Sequence, residues 1–141
     1  MRIMAIDYGD ARTGVAVSDP TGLLAGFTTV IQNHKAEMVA AEVARMVKEQ
    51  GAEELVMGFP RNMDGTESLR ADHYRAFAAL LEQTTGLKPI LWDERRTTIE
   101  AHAILHESGK KMKAHRKNVD AVAATLILEG YLVKKRLERG E

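Results

Sequence analysis

The sequence predicts an α/β domain built around one mixed sheet, and three observations carry that prediction. Strand-like segments crowd residues 2–31. From residue 35 onward, segments of helical period alternate with single short strands. The connections between the first strands are too short for anything but antiparallel pairing, whereas helical crossovers place later strands parallel. The expected sheet has five strands: an antiparallel meander of the first three, then a parallel fourth and fifth. Helices flank it, and one domain spans residues 1–141.

Arg2–Asp7 is an apolar run ending in an acid, which reads as a buried central strand. Gly9–Arg12 is a turn, and Thr13–Ser18, alternating around Val15 and Val17, is the second strand of a hairpin. Leu23–Ile31, rich in Thr, Val and Phe, is the third. The period then changes. Lys35–Gln50 sets Met38, Val39, Ala41, Val43, Met46 and Val47 mostly on one helical face, and Gly51 ends it. Glu54–Gly58 is the fourth strand, Phe59–Gly65 a loop, and Thr66–Thr85 a second helix. Pro89–Trp92 is the fifth strand. Thr97 and Glu100 have capping-box spacing and open a third helix that stops at Ser108-Gly109. A final helix runs from about Asn118 to about Arg136.

Composition excludes several classes. Cysteine is absent, which removes disulfides and thiolate zinc sites. No apolar run approaches the ~20 residues of a membrane span. Met1–Ile6 is too short for a signal-peptide core, so a cytoplasmic protein is expected. Net charge is zero, from 20 basic and 20 acidic residues, but it is unevenly spread. Residues 1–88 hold 9 Lys/Arg against 12 Asp/Glu, and residues 89–141 hold 11 against 8. Lys110, Lys111, Lys113, Arg116 and Lys117 form a tract without an acid, which suits either phosphate binding or simple solvation.

Ligands of open α/β sheets bind beyond the carboxyl ends of the parallel strands. Asp7, the 59–65 loop and Glu94 fall at those ends, and Asp120 sits in the first turn of the last helix. Converging carboxylates repel unless cations intervene, and hard oxygen donors favour Mg²⁺ or Mn²⁺. Two such ions can clamp the attacking and leaving oxygens of a phosphodiester. Each acid also has a plainer role open to it. Asp7 could cap the turn before Gly9, Asp120 could favour a helix dipole, and Glu94 could be a solvated loop acid. Of Asp93 and Glu94, strand alternation lets only one face the site.

Four segments carry a resemblance. Ile6-Asp7-Tyr8-Gly9-Asp10-Ala11-Arg12-Thr13-Gly14-Val15-Ala16-Val17-Ser18-Asp19 resembles the opening motif of the YqgF/RuvX family. Gly58-Phe59-Pro60-Arg61-Asn62-Met63-Asp64-Gly65 is similar to its Gly-x-Pro-x-Asn-x-Asp-Gly loop. Asp93-Glu94-Arg95 is similar to its Asp-Glu-Arg segment, and Val119–Ala124 to its closing Asp-x-x-Ala-Ala helix. The turn departs from the pattern at Asp10-Ala11, where Thr and a basic residue are expected. The resemblance implies a ribonuclease H-like fold with the first strand central. It implies Asp7, Glu94 and Asp120 as metal-binding catalytic acids with Mg²⁺ or Mn²⁺. Family members are described as pre-16S rRNA nucleases and, by fold analogy, as Holliday junction resolvases. The implied partner is therefore precursor ribosomal RNA, on a ribosomal particle, with branched DNA as the alternative.

Arg12, Asn62, Arg95 and the five residues of the basic tract are the candidate nucleic-acid contacts. Asn62 is equally a turn former, and Arg95 equally a partner for an acid. His102 and His106 have a metal-like spacing but lack the general base of a zinc protease. Trp92 and Tyr131 suit either base stacking or core packing. Two other classes share the sheet: nucleotide-binding ATPases, which need a second such domain, and non-catalytic RNA-binding modules.

Overall fold

The computed structural model describes residues 1–60, 69–93 and 119–140, with Val119 and Asp120 described through their backbone alone. The described strands are β1 (Arg2–Asp7), β2 (Arg12–Ser18), β3 (Ala25–Gln32), β4 (Ala52–Phe59) and β5 (Ile90–Asp93). The described helices are α1 (Ala36–Gln50), α2 (Ala71–Thr85) and α3 (Val119–Glu138). The sheet order is β3-β2-β1-β4-β5, so the first strand is central as expected. β1 pairs antiparallel with β2, and β2 with β3; β4 is parallel to both β1 and β5. The third predicted helix, over 97–108, lies outside the described residues.

β1 is buried on both faces, which is why it reads as an unbroken apolar run rather than an alternating one. Its alternation still sorts the core. Met4 and Ile6 join Val15, Val17 and Met57 against Val39, Val43 and Met46 of α1 and Phe77 and Leu81 of α2. Ile3 and Ala5 join Ala16, Val56 and Trp92 against Ala124, Ile127, Leu128, Tyr131 and Leu132 of α3. The result is three layers, with α1 and α2 on one face of the sheet and α3 on the other.

Several boundaries differ from the sequence expectation, each for a local reason. The third strand starts at Ala25, not Leu23. The Asp19 carboxylate accepts from the Thr21 hydroxyl at 2.7 Å and from the amides of Leu23 and Leu24, which holds those residues in a turn. Those bonds, led by Thr21, also lower the Asp19 pKa. β4 begins at Ala52 because pairing with β1 starts there, at Arg2↔Ala52. Leu69 and Arg70 form a turn, so the described part of the second helix starts at Ala71. On α1 the buried stripe is Val39, Ala40, Val43, Met46 and Val47, while Met38 is 55% exposed. Positions 39, 40, 43, 46 and 47 follow the 3.6-residue period, and Met38 stands off that stripe.

Candidate active site

Asp7 is the last residue of β1 and is half-buried. Alternation from Ile3 and Ala5 places it on the α3 face of the sheet. Across the hairpin it pairs with Gly14. On the other side, Ile6↔Met57 brings Gly58 level with Asp7. Gly14 and Gly58 share the Asp7 face, because Ala16 and Val56, two residues away, pack with the α3 cluster. Across β2, β1 and β4 this row therefore bears one side chain, the Asp7 carboxylate, with Val30 of β3 and Trp92 of β5 beyond the glycines.

The turn that follows is tight. A Cβ on Gly9 would collide with the Arg12 carbonyl oxygen, so only glycine fits there. Arg12 opens β2, is exposed, and pairs with Gln32. Its parity with Gly14 and Ala16 puts it on the Asp7 face, at the same end of the sheet. Parallel pairing ends at Phe59↔Asp93, so the carboxyl ends of β1, β4 and β5 meet at one edge. Trp92 packs on the α3 face, which leaves Asp93 on the α2 face, away from Asp7. α3 crosses β1 and β2, and its second residue is Asp120, one turn before Ala124, which is buried against the sheet.

Of the candidate residues, Asp7 and Arg12 are therefore brought to one edge and one face. Asp120 is placed through its backbone at the start of α3. Glu94, Asn62, Arg95, Lys110, Lys111, Lys113, Arg116 and Lys117 lie outside the described residues. Among the described residues, no group of three His, Asp or Glu side chains could hold a metal ion. The described donor, a half-buried carboxylate on a glycine-flanked floor, fits one corner of a hard-cation site. Trp92 and Tyr131 are resolved as core: their rings stack on each other at 6.0 Å and each is about 5% exposed. They are not available to nucleobases.

The sequence reading missed what braces the Asp7 turn. The Tyr8 ring lies flat on Phe77 at 3.7 Å, with His73 at 5.4 Å and Tyr74 edge-on at 5.8 Å. The Tyr74 hydroxyl donates to the Tyr8 carbonyl oxygen at 3.0 Å, and Arg70 pairs with Asp10 at 2.7 Å. Burial, with Asp10 and Glu37 adding to it, raises the Tyr8 phenol pKa. The signal was present: positions 70, 73, 74 and 77 share one helical face. A groove of about 400 Å³ runs beside β3 and α1, lined by Phe27, Met38 and Met46, with Arg45 at its rim. Arg45 is paired there with Glu42 and Glu49, and the chemistry is not that of Asp7.

The comparisons agree with this architecture. Residues 1–134 match the family model described as "RuvX: Holliday junction resolvase". A relative from Lachnospira eligens is 41% identical, covering 96% of this chain and 99% of its own. One from Moorella thermoacetica is 44% identical, covering 94% of each. Both are named "Putative pre-16S rRNA nuclease". Among solved structures, Thermus thermophilus RuvC in complex with a Holliday junction substrate matches with a TM-score of 0.67 and 12% identity, over 97% of this chain and 96% of that one. The fowlpox virus resolvase with Holliday junction DNA matches at 0.59 and 12%, over 96% and 99%. At these identities the structures establish the fold, which is ribonuclease H-like.

Proposed function

The chain belongs to the RuvX family, and from that premise we propose that it is a nuclease whose single domain, residues 1–141, hydrolyses phosphodiester bonds with Mg²⁺ or Mn²⁺. Its substrate is the 5′ end of precursor 16S ribosomal RNA, met in the cytoplasm on a ribosomal particle. Relatives at about 40% identity over nearly their whole length bear that name, and this supports the choice of RNA. The observation that carries the reading is the glycine-flanked Asp7 at the carboxyl edge of the parallel strands.

Asp7, Glu94 and Asp120 would hold the metal. Glu94 joins the set through the Asp93-Glu94-Arg95 segment that resembles the family's Asp-Glu-Arg motif. Asp120 joins it because α3 begins one turn before its contact with the sheet. When bound, the cations supply Lewis-acid activation of water and offset charge on the phosphorane-like transition state. The chain does the rest. Gly14 and Gly58 leave the sheet face low, so a phosphate can approach the Asp7 carboxylate. Arg12, at the same edge, pairs with a neighbouring phosphate. Asn62, Arg95, Lys110, Lys111, Lys113, Arg116 and Lys117 hold the flanking backbone and set its direction across the site.

The test is cleavage by the wild type and Asp7→Asn side by side. The substrates are precursor 16S RNA, single-stranded RNA and DNA, and a four-way DNA junction, each with Mn²⁺, Mg²⁺ or chelator. The wild type should cut the RNA precursor only with metal. Asp7→Asn should lose ~100-fold or more, beyond what an outer-shell partner typically costs, with an unchanged circular dichroism spectrum. Cutting of the junction alone would replace RNA by branched DNA as the substrate. Near wild-type cleavage by a folded Asp7→Asn would overturn the assignment of Asp7.

A further inference from the structure

We propose that Tyr74 is a positioning residue for Asp7: the α2 face formed by His73, Tyr74 and Phe77, with Arg70 just before the helix, clamps the residue after Asp7 and so aims its carboxylate. This rests on the reading of Asp7 as a metal ligand. The β1 ladder ends at Asp7, and the Tyr8 carbonyl lies beyond it in a buried place. The Tyr74 hydroxyl satisfies that carbonyl at 3.0 Å from 66 residues away. The Tyr8 ring is held against Phe77 at 3.7 Å with only 5° between planes. Outside the buried cluster, the Arg70–Asp10 pair at 2.7 Å ties the next part of the turn to the same helix.

Strand alternation makes this clamp act on Asp7. Tyr8 points to the α2 face and Asp7 to the α3 face, so any rotation of the strand end that moved one would move the other. Metal ligands tolerate displacements of only ~0.5 Å and ~10–20° before coordination suffers. A strand end has lost its ladder on one side, so this tolerance must be met by tertiary contacts. α2 supplies them from the face of the sheet opposite Asp7.

Tyr74→Phe removes the hydroxyl and keeps the ring. The experiment compares the wild type, Tyr74→Phe, Phe77→Leu and Asp7→Asn well below their melting temperatures. It reads Mn²⁺ affinity by titration calorimetry, kcat and KM for the cleaved substrate, and amide exchange over residues 8–12. Tyr74→Phe should weaken Mn²⁺ binding ~10-fold or more, lower kcat with KM for nucleic acid unchanged, and speed exchange over 8–12. Phe77→Leu should move the same readouts in the same direction, and it carries the test if Tyr74→Phe does not fold. A Tyr74→Phe protein with a lowered melting temperature but wild-type Mn²⁺ affinity, kcat and exchange would reduce Tyr74 to core packing and overturn the proposal. Equal Mn²⁺ binding by the wild type and Asp7→Asn would instead overturn the metal reading beneath it. The wild-type titration tells the two failures apart.

Discussion

Gly9 shows how closely the Asp7 turn is built. Its missing side chain is the space taken by the Arg12 carbonyl, a backbone atom that cannot swing aside. Gly9→Ala should therefore force the hairpin apart, costing about 1–3 kcal/mol as overpacking does. Urea denaturation would measure that loss. Cleavage should fall by more than the unfolded fraction explains, because the same shift moves Asp7 relative to Arg12. Single residues also show where pattern reading stops. Trp92 and Tyr131 were open to two uses, and only their contact with each other, six ångströms between centroids, decides for the core. Met38 fits a loose apolar count, yet it sits off the stripe that packs on the sheet and is exposed.

At the scale of elements, α3 is held at its far end by a polar brace. Glu54 of β4 accepts from the Tyr131 hydroxyl at 2.5 Å and pairs with Lys135 at 2.8 Å. Both partners lie on α3, so the brace sets the height of the whole helix and of Asp120 at its start. Removing the hydroxyl in Tyr131→Phe should cost about 1.5–3 kcal/mol, the range for a hydrogen bond to a charged group. Burial first, and the bond to Glu54 second, push the Tyr131 pKa well above its ordinary value of 10.0. A group whose folded pKa is raised stabilises the fold fully below its unfolded pKa and loses that contribution as pH rises above it. Wild-type stability should thus decline above about pH 10. Tyr131→Phe should decline less steeply, keeping only the smaller alkaline loss expected from Tyr8. Thermal melts between pH 7 and pH 11 would compare the two slopes.

The whole molecule carries no net charge, yet residues 1–88 lean acidic and residues 89–141 basic. Nucleic-acid affinity should then depend on a local set of cations rather than on a general field. Raising salt should weaken binding, with a logarithmic slope of ~0.7–0.9 per phosphate contacted. Replacing Lys110 and Lys111 together by Ala should flatten that slope and weaken RNA binding without changing sequence preference, measurable by filter binding at several salt concentrations. The two apolar clusters that hold the layers contain no carboxylate. Chelator should consequently abolish cleavage while leaving the circular dichroism spectrum and cooperative melting in place. No helix among the described residues is long and apolar enough to cross a membrane.

The order of the described elements, the meander, the central place of the first strand and the position of Asp7 at its end were all determined by the sequence alone. Each rests on a local period or a short connection, and such signals lie within a few residues of what they describe. The motif resemblance was likewise a matter of adjacent residues, and it named the family. Other features were decided only in three dimensions. The start of the third strand depended on Asp19 gathering three donors from the residues after it. The face shared by Gly14, Asp7 and Gly58 required the register of three strands. The Tyr74 bond to the Tyr8 carbonyl joins residues 66 positions apart, and the Tyr131 bond to Glu54 joins residues 77 apart. No period encodes such pairs, because they exist only after the sheet has brought distant segments to van der Waals distance.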